Sequence, residues 1–260
     1  MSIEESIVQL EQKDGVAILR LNEPARRNPL SRRLKSEIAS NFTTLLKIPE
    51  IRAIILTGTG SAFCAGGDIA DMEDRSTTAV RHRLTETHRW ARQILCSPKP
   101  TIAAVNGPAA GAGFGLALLC DIMIAADTAT FRASFPSIGA SPDMALAYTL
   151  PRSVGTTRAR EVLLLNKVLD AQCALEWGMA NEVVPAGELM SRAMEVASKL
   201  AAGPTLAFEL AKGLLNEAYG PIDCFLNSEA NAQAVAFGTS DFNEGVTAFQ
   251  QRRKSSFNGY

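Results

Sequence analysis

Two glycine-rich segments carry the residue types and spacing best suited to chemistry. They span residues 62–68 and 107–115, and each follows a β-like run and precedes a helix-like one. Small residues allow a carbonyl group to approach the main chain closely. Two backbone N–H groups aimed at one oxygen form an oxyanion hole. The pair therefore predicts acyl chemistry in which negative charge develops on a carbonyl oxygen, without an obvious nucleophile.

One acidic residue, Asp143, follows a helix-start signal in the second half of the chain. It follows Ser141 and Pro142, which read as a helix N-cap and a first helical residue. A single carboxylate beside an oxyanion hole suits proton transfer next to a carbonyl. The structural alternative is an acidic residue in a first helical turn, stabilised by the helix dipole. The residues alone do not distinguish these two interpretations of Asp143.

The elements that must position these groups alternate along the first half of the chain. Short apolar runs at 16–21 and 53–58 predict strands, and helical periodicity fills 30–46 between them. Further apolar runs at 102–105 and 122–126 flank a helix predicted at 112–119. This alternation predicts a mainly parallel sheet flanked by helices, with the ligand beyond the carboxyl ends of its strands.

The second half of the chain is predicted to be helical. Thr156 and Asp170 are placed as caps of two helices, which end at Leu165 and Gly178. Helical spacing of apolar residues begins at Leu189, and more helices are predicted after three further positions: Pro204, Pro221 and Thr239. Residues 71–87 contain too few apolar residues to predict a conformation.

Composition excludes several function classes. The 260 residues carry a net charge of −1 with scattered basic residues, which argues against a nucleic-acid partner. Five cysteines without CxxC spacing predict a reduced, cytoplasmic location. No targeting segment precedes the first strand, and turn residues interrupt the apolar stretch 101–120, so we expect no membrane association.

The ordered motifs resemble the enoyl-CoA hydratase/isomerase (crotonase) superfamily. The resemblance is carried by Ala-Phe-Cys-Ala-Gly-Gly-Asp at 62–68, Lys-Pro-Thr-Ile-Ala-Ala-Val-Asn-Gly at 99–107, and a second turn that closes at Cys120-Asp121. It implies an α/β fold, a ClpP-like spiral of β-β-α turns. Residues 1–200 would form the core with the acyl-CoA site, and 201–260 a helical region joining subunits into a homotrimer or hexamer.

The resemblance also implies roles for individual residues. The thioester carbonyl would lie between the N–H groups of Gly67 and Ala112. No metal and no cofactor are implied, apart from the coenzyme A carried by the substrate. Coenzyme A would be bound by basic side chains and by backbone and apolar contacts from two loops and the tail: Arg26, Arg27, Ala65, Asp68, Ile69, Lys254 and Phe257.

This chain departs from the hydratases of that superfamily at the acid–base positions. The two hydratase glutamates map to Gly115 and Phe135, so both carboxylates are absent. Without a general base for water, we expect hydration of a 2-enoyl-CoA to be slow or lost. Asp143 instead matches the carboxylate of the enoyl-CoA isomerases, including ring-opening epoxide isomerases. The leading hypothesis is therefore an isomerase that transfers protons through Asp143.

Three alternatives remain open. His88, Phe135 and Asp143 are placed like the histidine, the aromatic residue and the nucleophilic aspartate of 4-chlorobenzoyl-CoA dehalogenase, although that enzyme has tryptophan where this chain has phenylalanine. A hydratase is the second alternative. A catalytically weak acyl-CoA-binding protein is the third, because the hydratase carboxylates are missing.

Overall fold

A computed structural model describes residues 6–260. Its strands are β1 Val8–Lys13, β2 Val16–Leu21, β3 Ala53–Gly58, β4 Thr101–Val105, β5 Ala109–Ala110, β6 Ile122–Ala126, β7 Thr130–Arg132, β8 Val168–Asp170 and β9 Glu182–Val184. Its α-helices are α1 Arg32–Leu46, α2 Thr77–Leu95, α3 Ala112–Leu118, α4 Leu146–Val154, α5 Thr156–Leu165, α6 Ala171–Glu176, α7 Leu189–Ala201, α8 Thr205–Glu217, α9 Ile222–Phe237 and α10 Ser240–Gln250.

The main sheet has six strands in the order β1-β2-β3-β4-β6-β9. The β1–β2 pair is antiparallel, and every later pair in this sheet is parallel. A smaller sheet, β5-β7-β8, lies beside it. The predicted, mainly parallel α/β arrangement is confirmed.

Alternating side chains on the central strands separate two cores. On β3, Ile54 and Leu56 join the larger core, whereas Ala53 and Ile55 face the smaller one. This follows from the two-residue period of a strand. The smaller core is closed by α7, while α1, α2 and α3 contribute to the larger one. Both faces are covered, which explains why these strands are continuously apolar.

Most predicted helices are confirmed. Asp170 caps α6 by accepting a hydrogen bond from the Cys173 N–H, and α8, α9 and α10 follow Pro204, Pro221 and Thr239. Helix α2 occupies much of the segment for which the sequence predicted no conformation. Its N-cap is Ser76, whose hydroxyl accepts a hydrogen bond from the Ala79 N–H.

The helix start predicted at Ser141-Pro142 is wrong. Helix α4 begins at Leu146, because Met144 and Ala145 adopt left-handed backbone angles that no α-helix continues. Asp143 therefore lies in an irregular segment ahead of the helix. The interpretation of Asp143 as a first-turn helical carboxylate is excluded with it.

Helices α8 to α10 follow the sheet-covering α7 and carry few buried residues. Helices α8 and α9 have none, and α10 buries only Asp241 and Ala248. The Asp241 carboxylate accepts hydrogen bonds from the N–H groups of Asn258 and Gly259, which fixes the tail against α10. Among the helices of residues 6–260, none is long and apolar enough to cross a membrane.

Candidate active site

The two glycine-rich turns lie side by side at the carboxyl ends of β3 and β4. Cys64 forms an isolated parallel bridge with Ala109, and the Ala110 N–H donates to the Cys64 carbonyl at 2.9 Å. The Phe63 N–H donates to the Pro108 carbonyl at 3.1 Å. These bonds bring together two segments that are more than forty residues apart in the sequence.

Glycine is required where the turns meet. Gly66 has φ +98°, and a Cβ there would lie 2.7 Å from the Ala110 carbonyl oxygen and 3.6 Å from the Ala112 nitrogen. Gly111 has φ +52° and lies against Gly66 in the same contact. A larger residue at Gly66 would combine backbone strain with a steric clash, whereas at Gly111 it would meet backbone strain alone. The main chains of the two turns therefore pack directly on each other.

The two backbone donors singled out from the sequence lie at this contact. Ala112 begins α3, so its N–H has no partner within the helix. Neither this group nor the Gly67 N–H donates a backbone hydrogen bond to another residue of the described chain. Ala112 is buried and Gly67 is half-buried. Two unpaired donors beside one another can stabilise a carbonyl oxygen that gains negative charge.

Asn28 holds the first turn in place, and the sequence analysis assigned it no role. The side chain is fully buried and has a left-handed backbone, with φ 54°. Its amide donates to the carbonyls of Thr59 and Ala62, at 3.0 and 2.9 Å, and its oxygen accepts from the Glu23 N–H. A buried polar side chain with all of these bonds fixes loop geometry. The signal was its place before Pro29, in a polar loop between apolar elements.

Asp143 is half-buried, and its carboxyl group is poorly partnered. Its Oδ1 atom is buried without a hydrogen-bond partner. Burial raises the pKa of this carboxyl, and the positive charges of Lys35 and His88 oppose that shift. A desolvated carboxylate of raised pKa is a stronger base toward a carbon-bound proton than one that is solvated or ion-paired.

The segment that carries Asp143 packs against α3, the helix that begins at Ala112. A Cβ on Gly115 would lie 2.6 Å from the Met144 Cβ and 3.4 Å from the Asp143 carbonyl oxygen. The left-handed angles of Met144 and Ala145 turn the chain at this contact. Gly115 therefore sets the distance between the candidate base and the helix that supplies a candidate donor.

Phe135 and His88 also belong to this region. Phe135 is buried, and its ring lies 4.0 Å from where a Cβ on Gly111 would be. His88 is exposed on α2 yet close enough to Asp143 to lower the carboxyl pKa. Lys35 on α1 acts on the same carboxyl, and the sequence analysis did not single it out. Only the tertiary fold brings these two residues within electrostatic range of Asp143.

The residues assigned to coenzyme A from the two loops differ in exposure and partners. Ala65 and Ile69 are exposed beside the turn, as a ligand contact requires. Asp68 is instead buried, and it accepts from Arg26 at 2.6 Å and from the Ala70 N–H. Arg26 is thus held by an ion pair, while the Arg27 side chain is exposed.

The tail residues Lys254 and Phe257 lie elsewhere in this chain. The Phe257 carbonyl accepts a hydrogen bond from Arg52, which directly precedes β3, and the ring packs near Gly245. The first glycine-rich turn follows the opposite, carboxyl end of the same strand, and the second follows the carboxyl end of the neighbouring β4. Lys254 is exposed. The single chain therefore does not bring these two residues to the candidate site.

The candidate site lacks the side chains that metal binding or thiol chemistry would need. Within residues 6–260, no group of three His, Cys, Asp or Glu side chains is placed to hold a metal ion. Cys64, which belongs to the first turn, is fully buried, and burial raises its pKa to about 12. Such a thiol is not ionised at neutral pH and serves as a small apolar residue.

Comparison with known proteins agrees with this arrangement. A model of the enoyl-CoA hydratase/isomerase family matches residues 11–260. A 1,2-epoxyphenylacetyl-CoA isomerase of Escherichia coli K12 is 37% identical over 250 residues, which cover 94% of this chain and 95% of that protein. A 4-chlorobenzoyl coenzyme A dehalogenase of an Arthrobacter species is 33% identical over 254 residues, covering 96% and 92%.

Solved structures confirm the predicted fold. The crystal structure of an enoyl-CoA hydratase from Bacillus anthracis superposes with a TM-score of 0.91 at 31% identity, covering 98% of this chain and all of that one. Hydratase, isomerase and dehalogenase names thus occur among similar proteins. The similarity fixes the fold and leaves the choice among these reactions to the residues of the site.

The Gly115 contact yields a test of how the base is positioned. We expect Gly115→Ala to push the Asp143 segment away from α3, since the new Cβ would meet Met144 main-chain and side-chain atoms. Overpacking of this kind costs about 1–3 kcal/mol in the free energy of unfolding. Urea denaturation measures this loss, and Gly187→Ala is the control because nothing lies within 4 Å of its Cβ position. Equal stabilities of the two variants would contradict the proposed contact.

Burial of the Asp143 carboxylate yields a second prediction. Its pKa is raised in the folded state, so its ionised form destabilises the fold above that pKa. We expect Asp143→Asn to be more stable than the wild type near neutral pH. The difference should shrink as pH falls through the folded-state pKa toward about 3.9, the ordinary aspartate value. Unfolding free energies of both proteins across this range provide the measurement; a difference independent of pH would refute the burial argument.

Proposed function

The chain belongs to the enoyl-CoA hydratase/isomerase family and is an acyl-CoA-processing enzyme; from this premise we propose that it is an enoyl-CoA isomerase. The reaction would move a double bond, or open a ring, by proton transfer beside the thioester. The observation that carries the proposal is a single, half-buried, poorly partnered carboxylate, Asp143, on a segment that packs against α3, the helix that begins with the unpaired Ala112 N–H. The 37% identity to an epoxyphenylacetyl-CoA isomerase supports it.

The proposed reaction begins with the thioester carbonyl bound by Gly67 and Ala112. Asp143 removes a proton from C2 of a 3-enoyl-CoA, and the electrons pass into the carbonyl to form a dienolate. The two N–H groups stabilise the resulting oxyanion by about 3 kcal/mol each. Protonated Asp143 then returns the proton to C4, which completes a double-bond shift without net change in composition. A ring-opening substrate would use the same removal of a proton beside the thioester.

Steric packing argues against a hydratase. A glutamate at position 115 would have to occupy space held by the Met144 main chain, since even a Cβ there would be 2.8 Å from the Met144 carbonyl oxygen. The second hydratase position is held by Phe135, which is buried and apolar. No carboxylate at these two places can direct a water molecule at C3.

A dehalogenase-like reaction is the second candidate, because His88 acts electrostatically on Asp143. In that reaction Asp143 would attack an aromatic ring carbon, and His88 would assist hydrolysis of the resulting ester. The 33% identity to a 4-chlorobenzoyl coenzyme A dehalogenase supports this alternative. Phe135 supplies no hydrogen bond to an aromatic acyl group, which favours the isomerase.

The isomerase proposal predicts that Asp143→Asn loses activity while keeping its ligand. We expect kcat/KM for a 3-enoyl-CoA to fall by about 10²–10⁴-fold, the usual contribution of a general base. Coenzyme A binding by calorimetry should be unchanged. The wild-type kcat/KM should fall on acidification at a pH above the ordinary aspartate pKa, because burial raises the pKa of the base. Turnover of 4-chlorobenzoyl-CoA, or of a 2-enoyl-CoA alone, would contradict the proposal.

We also propose that the chain forms a homotrimer or hexamer through its C-terminal helices. The support is a set of exposed apolar side chains on elements that bury almost nothing: Leu215, Tyr219, Ile222, Leu226, Val235, Phe237 and Phe249. Phe249 is the most exposed of these side chains, at 87%. Many exposed large apolar side chains on such helices indicate an interaction surface.

Sedimentation analysis checks this association. We expect a mass of three or six chains, reduced in the double variant Leu215→Glu, Phe249→Glu, because two charges would be buried at an apolar contact. Leu10→Glu, which changes a partly exposed leucine on β1, is the control and should keep the wild-type mass. A monomeric wild-type protein would rule the assembly out.

A further inference from the structure

The direction of the Gly67 N–H group is set by the other side of its own peptide bond. The Gly66 carbonyl accepts a hydrogen bond from the Leu30 N–H at 2.7 Å. The peptide between Gly66 and Gly67 is planar and trans, so its N–H points away from its carbonyl. A carbonyl fixed on Leu30 therefore aims the Gly67 N–H in the opposite direction, away from the segment that carries Leu30.

The Ala112 N–H group is directed in the same way, but by a helix. The Gly111 carbonyl accepts from the N–H groups of Phe114 and Gly115, at 3.0 and 3.2 Å, so it points along α3. The Ala112 N–H belongs to the same peptide and therefore points out of the start of that helix. Gly67 lies outside the helices and strands of the described chain, so its direction depends on loop contacts.

Backbone preference alone does not hold Gly67 in this orientation. Gly66 and Gly67 are consecutive glycines, and glycine adopts more backbone conformations than other residues. Residues 26–30, called segment 26–30 below, supply the constraint from outside the turn. Besides the bond to the Gly66 carbonyl, this segment accepts a hydrogen bond from the Ala65 N–H at the Arg27 carbonyl, at 2.9 Å. The aim of the donor therefore depends on how firmly segment 26–30 stays on the turn.

A side-chain ion pair joins segment 26–30 to the residue that directly follows the donor. The Arg26 Nη2 atom donates to Asp68 Oδ2 at 2.6 Å. The Asp68 side chain is buried, and its other oxygen, Oδ1, accepts from the Ala70 N–H at 3.1 Å. One carboxylate oxygen is thus bound to the turn that follows Gly67, and the other is bound to the segment that aims the Gly67 N–H.

We propose that Arg26 and Asp68 are positioning residues: their ion pair keeps segment 26–30 on the first glycine-rich turn and so keeps the Gly67 N–H aimed at the thioester oxygen. This inference rests on the proposed acyl-CoA site. It gives Arg26 a different role from the coenzyme A contact that the family resemblance implies. The charge of a guanidinium bound to a carboxylate at 2.6 Å is compensated, so it attracts a phosphate group less than a free guanidinium does.

Steady-state kinetics and binding separate the two roles of Arg26. We expect Arg26→Met and Asp68→Asn each to lower kcat for a 3-enoyl-CoA by about 10- to 100-fold, since a misdirected donor costs less than the 10²–10³-fold loss of a deleted one. The Kd for coenzyme A, measured by calorimetry, should stay at the wild-type value. The double variant should lose no more than either single variant, because both changes remove the same ion pair.

The control is Lys199→Met, which breaks an exposed ion pair with Glu195 on α7 and should keep the wild-type kcat. The Arg26 side chain is 51% exposed, so Arg26→Met gives a folded variant even where the buried Asp68 does not tolerate replacement. A weaker Kd for coenzyme A with unchanged kcat in Arg26→Met would overturn the positioning role.

Infrared spectroscopy of a bound thioester tests the donor without turnover. Hexanoyl-CoA labelled with ¹³C at its carbonyl should show a lower C=O stretching frequency on the wild type than in water, because the two N–H groups polarise the carbonyl. We expect Arg26→Met and Asp68→Asn to reverse part of this shift. A shift that both variants retain would overturn the positioning role alone. A shift lost in both variants, in a protein that does not isomerise 3-enoyl-CoA, would support that role and refute the isomerase.

Discussion

The site depends on the close packing of one short helix, α3, between two loops. A Cβ on Gly113 would lie 2.5 Å from the Cys64 carbonyl oxygen, and one on Gly115 would lie 2.6 Å from the Met144 Cβ. Two glycines, two residues apart, thus allow α3 to contact the first glycine-rich turn and the Asp143 segment together. The first residue of that helix, Ala112, supplies a candidate donor. One packing arrangement therefore sets the spacing between donors and base.

The candidate site keeps polar groups unpaired that a stable interior would normally satisfy. The N–H groups of Gly67 and Ala112 lack main-chain partners in the described chain, and Asp143 Oδ1 is buried without one. Most buried polar groups in proteins are hydrogen-bonded. The left-handed angles of Met144 and Ala145 add backbone strain at the same place. Unpaired groups and strain concentrated at one position indicate a surface arranged for a ligand.

Charge around Asp143 comes from elements distant in the sequence. Burial raises the carboxyl pKa, while Lys35 on α1 and His88 on α2 lower it. Burial and these two side chains thus shift the Asp143 pKa in opposite directions, and within residues 6–260 the carboxylate forms no direct ion pair.

The sequence by itself determined four strands of the main sheet, most of the helices, the family and the positions of the two glycine-rich turns. These depend on local signals: apolar periods, caps such as Asp170, and glycines at fixed spacing. The sequence predicted the wrong start for α4, because Met144 and Ala145 adopt left-handed backbone angles where the chain packs on Gly115. Neither methionine nor alanine is a residue type from which such a turn is predicted. Only the tertiary structure showed the hydrogen bonds of Asn28 to Glu23, Thr59 and Ala62, the effect of Lys35 on the pKa of Asp143, and the contact of the tail with Arg52 at the amino end of β3. Each of these features depends on contacts in the folded chain. Local residue patterns do not encode such contacts, so the sequence alone could not predict them.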